Sequence, residues 1–303
     1  MPNTRAQFQR LMFPGLREFI FRGFREKEEQ FTTMFNTLTS DSAFEEDMIA
    51  AGVGLFRQWE ELDESTEDRF VPGLSKRYDH VDYGMRMGFS EQFIRDTKVA
   101  IMNDRARDMG FSARQTKEIL VADVFNSGFV TNGYDGVPLF SASHPFTRGG
   151  GASGQVQSNL LSTAASVSSV SVRAMMTLFR LFLDETGVRR ISLVPKWLWH
   201  HPAHEWDVLE ILKSAGRPDT ANRADNVIRN KLEPFTWDYL TAQGPWGMTS
   251  EKGDNRLKCY NRVNFRTRTF EEEKTETQWV QARFAFSFGY SHYLGTVASN
   301  AAL

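Results

Sequence analysis

Near the start of the chain, apolar residues recur at helical spacing: Phe8, Leu11, Met12, Leu16, Phe19, Ile20 and Phe24, with Arg10, Arg17, Arg22, Arg25, Lys27, Glu28 and Glu29 around them. Phe13 and Phe21 fall outside that stripe. The pattern predicts an arm over residues 1–45. So many Phe side chains on so short a segment cannot bury themselves, and the arm is expected to pack against neighbouring copies of the chain. From Gly52 to Gly88 the pattern shortens to strands. Val53–Trp59 and Tyr78–Met87 are the candidates, the second alternating loosely as Tyr78, His80, Asp82, Gly84, Arg86 against Asp79, Val81, Tyr83, Met85, Met87. Between them stand Glu60, Glu61, Asp63, Glu64, Glu67 and Asp68, six acids in nine residues, then Arg69 and the turn pair Pro72-Gly73. A long ribbon with a charged tip is marginal alone and needs a surface to lie on.

Helical spacing returns at Ser90, where Ser-Glu-Gln-Phe is an N-terminal signal. Phe93, Ile94, Thr97, Ile101, Arg105 and Met109 keep the spacing up to Gly110, which reads as a C-terminal stop. Ser112 opens a second helix carrying Ile119, Leu120, Val124 and Phe125 and ending near Asn126 to Gly128. The turn pairs Asn132-Gly133 and Asp135-Gly136, with Pro138 and Pro145, predict a tight double turn that throws Leu139 and Phe140 back toward a core. Arg148 to Asn159, with three consecutive glycines, reads as a flexible surface loop. The low-complexity stretch Ser162–Ser171 leads into an apolar helix over Val172–Glu185; a strand over Arg190–His200 and a helix over Pro202–Ser214 follow. Pro218–Arg229 is polar and reads as a loop. Two strands close the pattern, Leu257–Arg266 and Gln278–Tyr290, the latter with the cleanest alternation: Val280, Ala282, Phe284, Phe286, Phe288.

Composition narrows the function classes. The 303 residues suffice for one large domain or two ordinary ones, and 25 Phe with 7 Trp suit large packing surfaces. With 36 basic and 38 acidic residues, the chain as a whole has no basic excess for reading nucleic acid, although a shell that merely encloses it needs none. Cys259 is the only cysteine, which excludes an intrachain disulfide and a cysteine-based zinc cluster and fits a reducing cytosol. The start lacks a signal-peptide core, and Leu11–Phe24 is interrupted by Pro14, Arg17, Glu18 and Arg22, so a soluble, non-exported protein is expected. A membrane-surface helix is the other reading of the arm, opposed by the glutamates among its basic residues.

Candidate chemistry is sparse. Ser141, Ser143 and His144 have the residue types of a nucleophile and base, but alternate side chains on an extended segment point apart, and no Gly-x-Ser-x-Gly elbow is present. The glycines after Arg148 lack the Gly-Lys-Ser/Thr of a phosphate loop; no lysine lies between Lys117 and Lys196. His200, His201 and His204, with Glu205 nearby, have separations that can serve a metal, but Pro202 interrupts the helical geometry this requires. Asp207 and Glu210 match an acid–base pair and an ordinary helix surface equally.

Asp135–Pro145 follows directly on a helix ending Ala-Asp-Val-Phe-Asn-Ser-Gly-Phe (122–129) and precedes the Gly/Ser-rich loop. That order resembles the major capsid proteins of tailed bacteriophages, most closely the Mu-like major head subunit group. Outside Val124–Pro145 the resemblance lies in the order and length of elements. It implies an α+β fold of the Hong Kong 97 type: an N-terminal arm (1–45), an extended β-hairpin loop (46–88) lying over the adjacent subunit, a peripheral domain with a long spine helix broken or kinked at Gly110 (89–164), an axial domain with two helices flanking a sheet (165–262), and return strands of the peripheral domain (263–303). It further implies hexamers and pentamers of an icosahedral head, assembled in the host cytoplasm around double-stranded DNA touched without sequence preference. Scaffolding, portal and decoration proteins are the further partners. No catalytic residue, metal, cofactor or membrane is expected. The subunit-contact candidates are Phe8, Phe19 and Phe24 of the arm; Glu60, Glu61, Asp63, Glu64, Glu67, Asp68 and Arg69 of the tip; and Arg223 and Arg229 of the loop toward the capsomer axis. Some relatives join subunits through a lysine and an asparagine; Lys76 is the lysine on offer here, no partner is evident, and a noncovalent shell is expected. Encapsulin compartments, which resemble the same architecture, and a metal-dependent hydrolase using His200, His201 and His204 are the alternatives.

Overall fold

The computed structural model describes residues 5–300, apart from 51–54, 57, 60–63, 65, 66, 68–71, 97, 98, 147–154, 217–224, 273 and 276. In chain order the elements are α1 (Arg5–Arg25), β1 (Asn36–Thr39), β2 (Phe44–Ala50), β3 (Pro72–Asp79), β4 (Val81–Ser90), α2 (Glu91–Asp96), α3 (Val99–Asn126), β5 (His144–Pro145), β6 (Val156–Gln157), α4 (Ser169–Arg180), β7 (Pro195–His200), α5 (Glu205–Lys213), β8 (Glu233–Thr236), β9 (Pro245–Ser250), β10 (Leu257–Glu272), β11 (Thr277–Tyr290) and β12 (Thr296–Asn300).

The first sheet has the order β1-β10-β11-β4. Its long members, β10 and β11, pair antiparallel from Leu257↔Tyr290 to Glu272↔Thr277. The alternation in β11 does what its period of two requires: Val280, Ala282, Phe284 and Phe286 are buried on one face, and Arg283 is exposed on the other. Against the buried face lie α3 and α1, whose Leu16, Ile20, Met102, Ala106 and Met109 form a core with Val280 and Ala282.

Gly110 does not stop a helix. It sits inside α3, which runs unbroken for 28 residues, and the expected second start at Ser112 is one more helical turn. The reason is packing rather than backbone freedom. A Cβ on Gly110 would run into the Ile20 carbonyl, and one on Gly23 into the Arg107 carbonyl, so the two glycines let α1 and α3 meet backbone to backbone. The arm is thereby corrected too: Leu16 and Ile20 are covered by the chain's own spine helix.

The second sheet, β12-β9-β7-β8, separates two cores. Leu198, Met248 and Val297 face α4 and α5 through Met175, Phe179, Val208 and Leu212. Trp199 and Ala298, one residue along, face the C-terminal part of α3. β7 and β8 are parallel, and α5 with the segment after it supplies the crossover such a pair needs. β12 pairs with β9 rather than following β10 and β11 into the first sheet, which departs from the 263–303 grouping. The helix expected over Val172–Glu185 is α4, shifted N-terminally: Ser168 and Ser171 form a reciprocal capping box inside the Ser-rich stretch, and the helix ends at Arg180.

The ribbon also moves. Its strands are β2 and β3, registered Phe44↔Asp79 to Ala50↔Pro72, rather than Val53–Trp59 with Tyr78–Met87. The chain breaks at His80, whose ring bonds Ser40 and Ser287, and continues as β4 along β11. Of 53–59, Leu55, Phe56, Gln58 and Trp59 are described, in no regular structure.

Gly110→Ala should destabilise the subunit by about 2 kcal/mol in urea unfolding, because the clash with backbone exceeds the gain of about 1 kcal/mol in helix propensity. A neutral or stabilising result would place α1 elsewhere.

Candidate assembly surfaces and the buried histidine junction

At the end of α1 the chain is tied to α3 by charge. Arg107 donates twice to Glu26, at 2.8 and 2.6 Å; Arg114 pairs with Glu29 and donates Nε to the Phe24 carbonyl; Lys117 reaches Glu29 at 3.2 Å. Glu118, buried one residue on, accepts the backbone N–H groups of Gln30 at 2.6 Å and Phe31 at 3.3 Å. Burial pushes its carboxyl up to about 7, against the pull of those N–H groups; Glu29 adds to the rise and Arg114 opposes it. This junction was not read from the sequence. Its only signal is an acid inside an apolar helical stretch.

The contact candidates are scattered. Phe24 stacks on Phe265 at 4.2 Å with the Arg114 guanidinium over its ring, and Phe19 packs at the edge of the α1–α3 core, so both are engaged within the chain. Phe8 lies on α1, its side chain outside the described set. Glu64 and Glu67 are exposed, while Glu60, Glu61, Asp63, Asp68, Arg69 and Arg223 lie outside the described residues. Arg229 is exposed on a loop pinned beneath by Asn226, which donates to the Ile211 carbonyl at 2.7 Å, and by buried Ile228. Next to the acidic run, Leu55, Phe56 and Trp59 are 62%, 105% and 72% exposed. Sequence reading gave these residues to a strand and weighted the acids instead.

Asp135–Pro145 forms the other concentration of polar groups, with the His144 and Asp135 side chains buried and Ser143 exposed. Gly136 takes a positive φ of 81° to close the turn, Gly133 N–H bonds the Val137 carbonyl, and Phe140 N–H bonds the Gly128 carbonyl, which delivers Leu139 and Phe140 to the core as expected. His144 has no exposed surface. One ring nitrogen is 2.6 Å from Asp135 and the other 3.2 Å from Asn159, and the ring stacks on Tyr293 at 3.8 Å. On the opposite side of this group His292 stacks on Tyr293 at 4.5 Å and contacts Glu185; burial, with the nearby His144 and Arg256 charges, drives its pKa down to about 3. Asn159 also donates to the Leu139 carbonyl and accepts from Ser141 N–H. The supposedly flexible loop 148–159 therefore ends in an anchor; its residues 148–154 lie outside the described set. Both His144 nitrogens are used, and neither bonds Ser141 or Ser143, whose hydroxyls face each other at 3.3 Å. A nucleophile–base pair is not what this geometry builds.

The other histidines also have separate duties. His201 caps the short helical turn at Pro202 by accepting Ala203 N–H, buried His200 bonds the His201 carbonyl, and His204 bonds the Gln243 carbonyl. Among the described residues no three His, Cys, Asp or Glu side chains converge as a metal site. Burial raises the Cys259 thiol to about 12, removing its nucleophilic form at neutral pH. Lys76 sits on β3 opposite Asp47, at the rim of a cavity it shares with Asp123 and Tyr290.

A family model described as "Phage capsid protein" matches residues 73–299, three quarters of the chain, a span that holds β4, β10 and β11 of the first sheet, β7, β8 and β9 of the second, and the histidine junction. The chain belongs to the phage capsid protein family. This capsid protein is similar in fold to a chain of Mycobacterium phage Adephagia, with a TM-score of 0.58, 9% identity and 91% of each chain covered. It is similar to a chain of the procapsid of bacteriophage JBD30, with a TM-score of 0.53, 13% identity, 99% of this chain and 77% of that one. A chain of the JBD30 capsid decorated with minor capsid protein trimers gives 0.55 at 13% identity, covering 71% of this chain and 92% of that one. No curated protein matches the sequence. At these identities the structures establish the fold, and it is the α+β Hong Kong 97 type.

Two measurements test the buried groups. His144→Phe keeps the stack on Tyr293 but leaves Asp135 buried without its partner, and should cost about 3–5 kcal/mol of subunit stability; adding Asp135→Leu should recover much of it. For Glu118, a carboxyl raised in the folded state favours folding fully below its ordinary 4.5 and loses that contribution as pH rises toward about 7. Subunit stability should therefore fall by on the order of 2–3 kcal/mol between pH 4.5 and 8 on this account. In Glu118→Gln that part of the slope should vanish.

Proposed function

We propose that this protein is the major capsid protein of a tailed phage, whose copies close as hexamers and pentamers into an icosahedral head around double-stranded DNA. The match of residues 73–299 to the phage capsid protein family carries this reading. It also favours a phage head over an encapsulin compartment, since the matched family is that of phage capsids. Assembly proceeds by association: many modest contacts, repeated by symmetry, add up to a stable shell. The chain supplies exposed Leu55, Phe56 and Trp59 beside its acidic run, and exposed Arg229 on its second-sheet loop.

On this reading the protein is structural rather than catalytic, resides in the virion, and is assembled in the host cytoplasm. Scaffolding, portal and decoration proteins are its other partners; the minor capsid trimers on the JBD30 capsid show that a protein of this fold accepts decoration. Among the described residues no helix is long and apolar enough to cross a membrane. The shell is proposed to hold without covalent links, and the arm, hairpin, peripheral and axial divisions stand as proposed functional units.

Electron microscopy of the full chain expressed alone or with its neighbouring phage proteins should show closed shells of uniform diameter; only monomers or small closed oligomers would overturn the reading. Phe56→Asp should lower shell yield at least tenfold, the urea midpoint of the subunit staying unchanged.

A further inference from the structure

Among the described residues the β2–β3 ribbon pairs only with itself, as a two-stranded sheet separate from the first. Such a ribbon is marginal by itself, so its direction is set where it joins the body. Three ties make that joint. His80 bonds Ser40 and Ser287 at the break between β3 and β4. Buried Tyr78 packs on Tyr260 with ring centroids 5.3 Å apart and lies against Gly289, where a Cβ would crowd the ring. Farther out, at the Asp47↔Lys76 pair, the Asp47 carboxylate reaches back to the first sheet. Lys258 Nζ donates to it at 2.5 Å, Ser291 Oγ at 2.7 Å and the Tyr260 hydroxyl at 3.4 Å; Tyr78 donates in turn to Ser291 at 3.2 Å. Burial, with Asp47 and Glu45 nearby, pushes the Tyr260 phenol up to about 12, so it keeps the proton it donates.

Asp47 is the last of these ties before the ribbon leaves the body. Beyond it Met48 on β2 and Leu74 and Ser75 on β3 are exposed. On the other strand the root is not packed: Lys76 borders a cavity of about 170 Å³ shared with Asp123, Thr131 and Tyr290. Beyond Tyr78 the ribbon is therefore held by polar contacts on one side and faces open space on the other, the construction of a hinge rather than of a core. An ordinary surface ion pair would not hold it. The Asp47 and Lys258 side chains are only 21% and 20% exposed, and the two hydroxyl donors fix the direction of the carboxylate as well as its charge. We propose that Asp47 is a positioning residue for assembly: by clasping Lys258, Ser291 and Tyr260 it sets the angle at which the ribbon leaves the subunit, and so the spacing between copies. The inference rests on the capsid reading for its setting, and it assigns a part in assembly to a contact made wholly inside one chain. A shell of one diameter requires every copy to project its parts in the same direction, because contacts that vary in angle close into assemblies of different size. With the clasp open, the ribbon pivots about Tyr78 and His80 toward the cavity beside Lys76.

Distances between spin labels on Leu74→Cys, in the ribbon, and Asp104→Cys, on α3, read the angle in the unassembled full-length chain; both sites are exposed, and native Cys259 is buried and stays unlabelled. The distribution should be narrow in the otherwise unaltered chain and about twofold wider with Asp47→Ala, the urea midpoint staying close to its original value. By electron microscopy, shells of a single diameter should fall about fivefold as a share of all particles made by Asp47→Ala. Exchanging the charges, Asp47→Lys with Lys258→Asp, should bring back both the narrow distribution and the uniform shells, a rescue that does not follow from a general loss of stability. If Asp47→Ala does not fold, Lys258→Met serves instead: it removes the ammonium, leaves the two hydroxyl donors, and should also widen the distribution. An unchanged distribution in a folded variant overturns the proposal. So does a lowered urea midpoint without widening, which marks an ordinary structural contact, and so do uniform shells from a chain whose ribbon has loosened. If the unaltered chain makes no shells, the capsid reading falls, and the label distances still decide whether Asp47 holds the ribbon.

Discussion

Phe125 is the point on which the two halves of the subunit turn. It sits on the last helical turns of α3 and meets Trp199, Trp237, Phe140 and Phe35 with ring centroids 5.0, 5.2, 5.6 and 6.1 Å away. Those rings come from the second sheet, the segment after β8, the double turn and the segment after α1. One aromatic cluster thus fixes the spine helix to the second sheet, the double turn and the segment after the arm. Edge-to-face rings lose their contact energy with small displacements, which makes the joint stiff as well as stable. A subunit that carries load in a shell needs that stiffness between its parts.

Around this joint the polar groups act as locks. His144, Asp135 and Asn159 hold the double turn to β6 and to Tyr293, and Glu118 holds the chain after α1 against α3. Each lock is buried, and each uses a titratable group whose partners leave it no freedom for chemistry. On the proposed reading, assembly uses peripheral groups instead, exposed Leu55 and Phe56 and the loop at Arg229 among them.

Much of this was legible from periodicity. The β11 alternation predicted the strand and its buried side, and the turn chemistry around Gly136 predicted the return of Leu139 and Phe140 to the core. The family itself was legible from Val124–Pro145 and the element order. The failures share a cause. Gly110 read as a stop because local propensity says so, and it proved to be a contact point because a second helix presses on it. Val53–Trp59 read as a strand from its apolar residues, while Phe44–Ala50, rich in acids, took the place opposite β3. Pairing depends on which partner strand is within reach, which local composition does not encode.

By itself the sequence determined the segments with strong periods, the turns demanded by Gly and Pro, the absence of an intrachain disulfide, and the capsid family. These follow from local sterics and from the burial of apolar side chains at fixed spacing, and both act within a few residues. Tertiary structure alone decided that α1 lies on α3, that β12 leaves its neighbours for the second sheet, and that Asp135, Asn159 and Tyr293 are the groups that hold His144. Each of those outcomes is set by what arrives from a distant part of the chain, and a side chain's role is fixed only once its neighbours are in place.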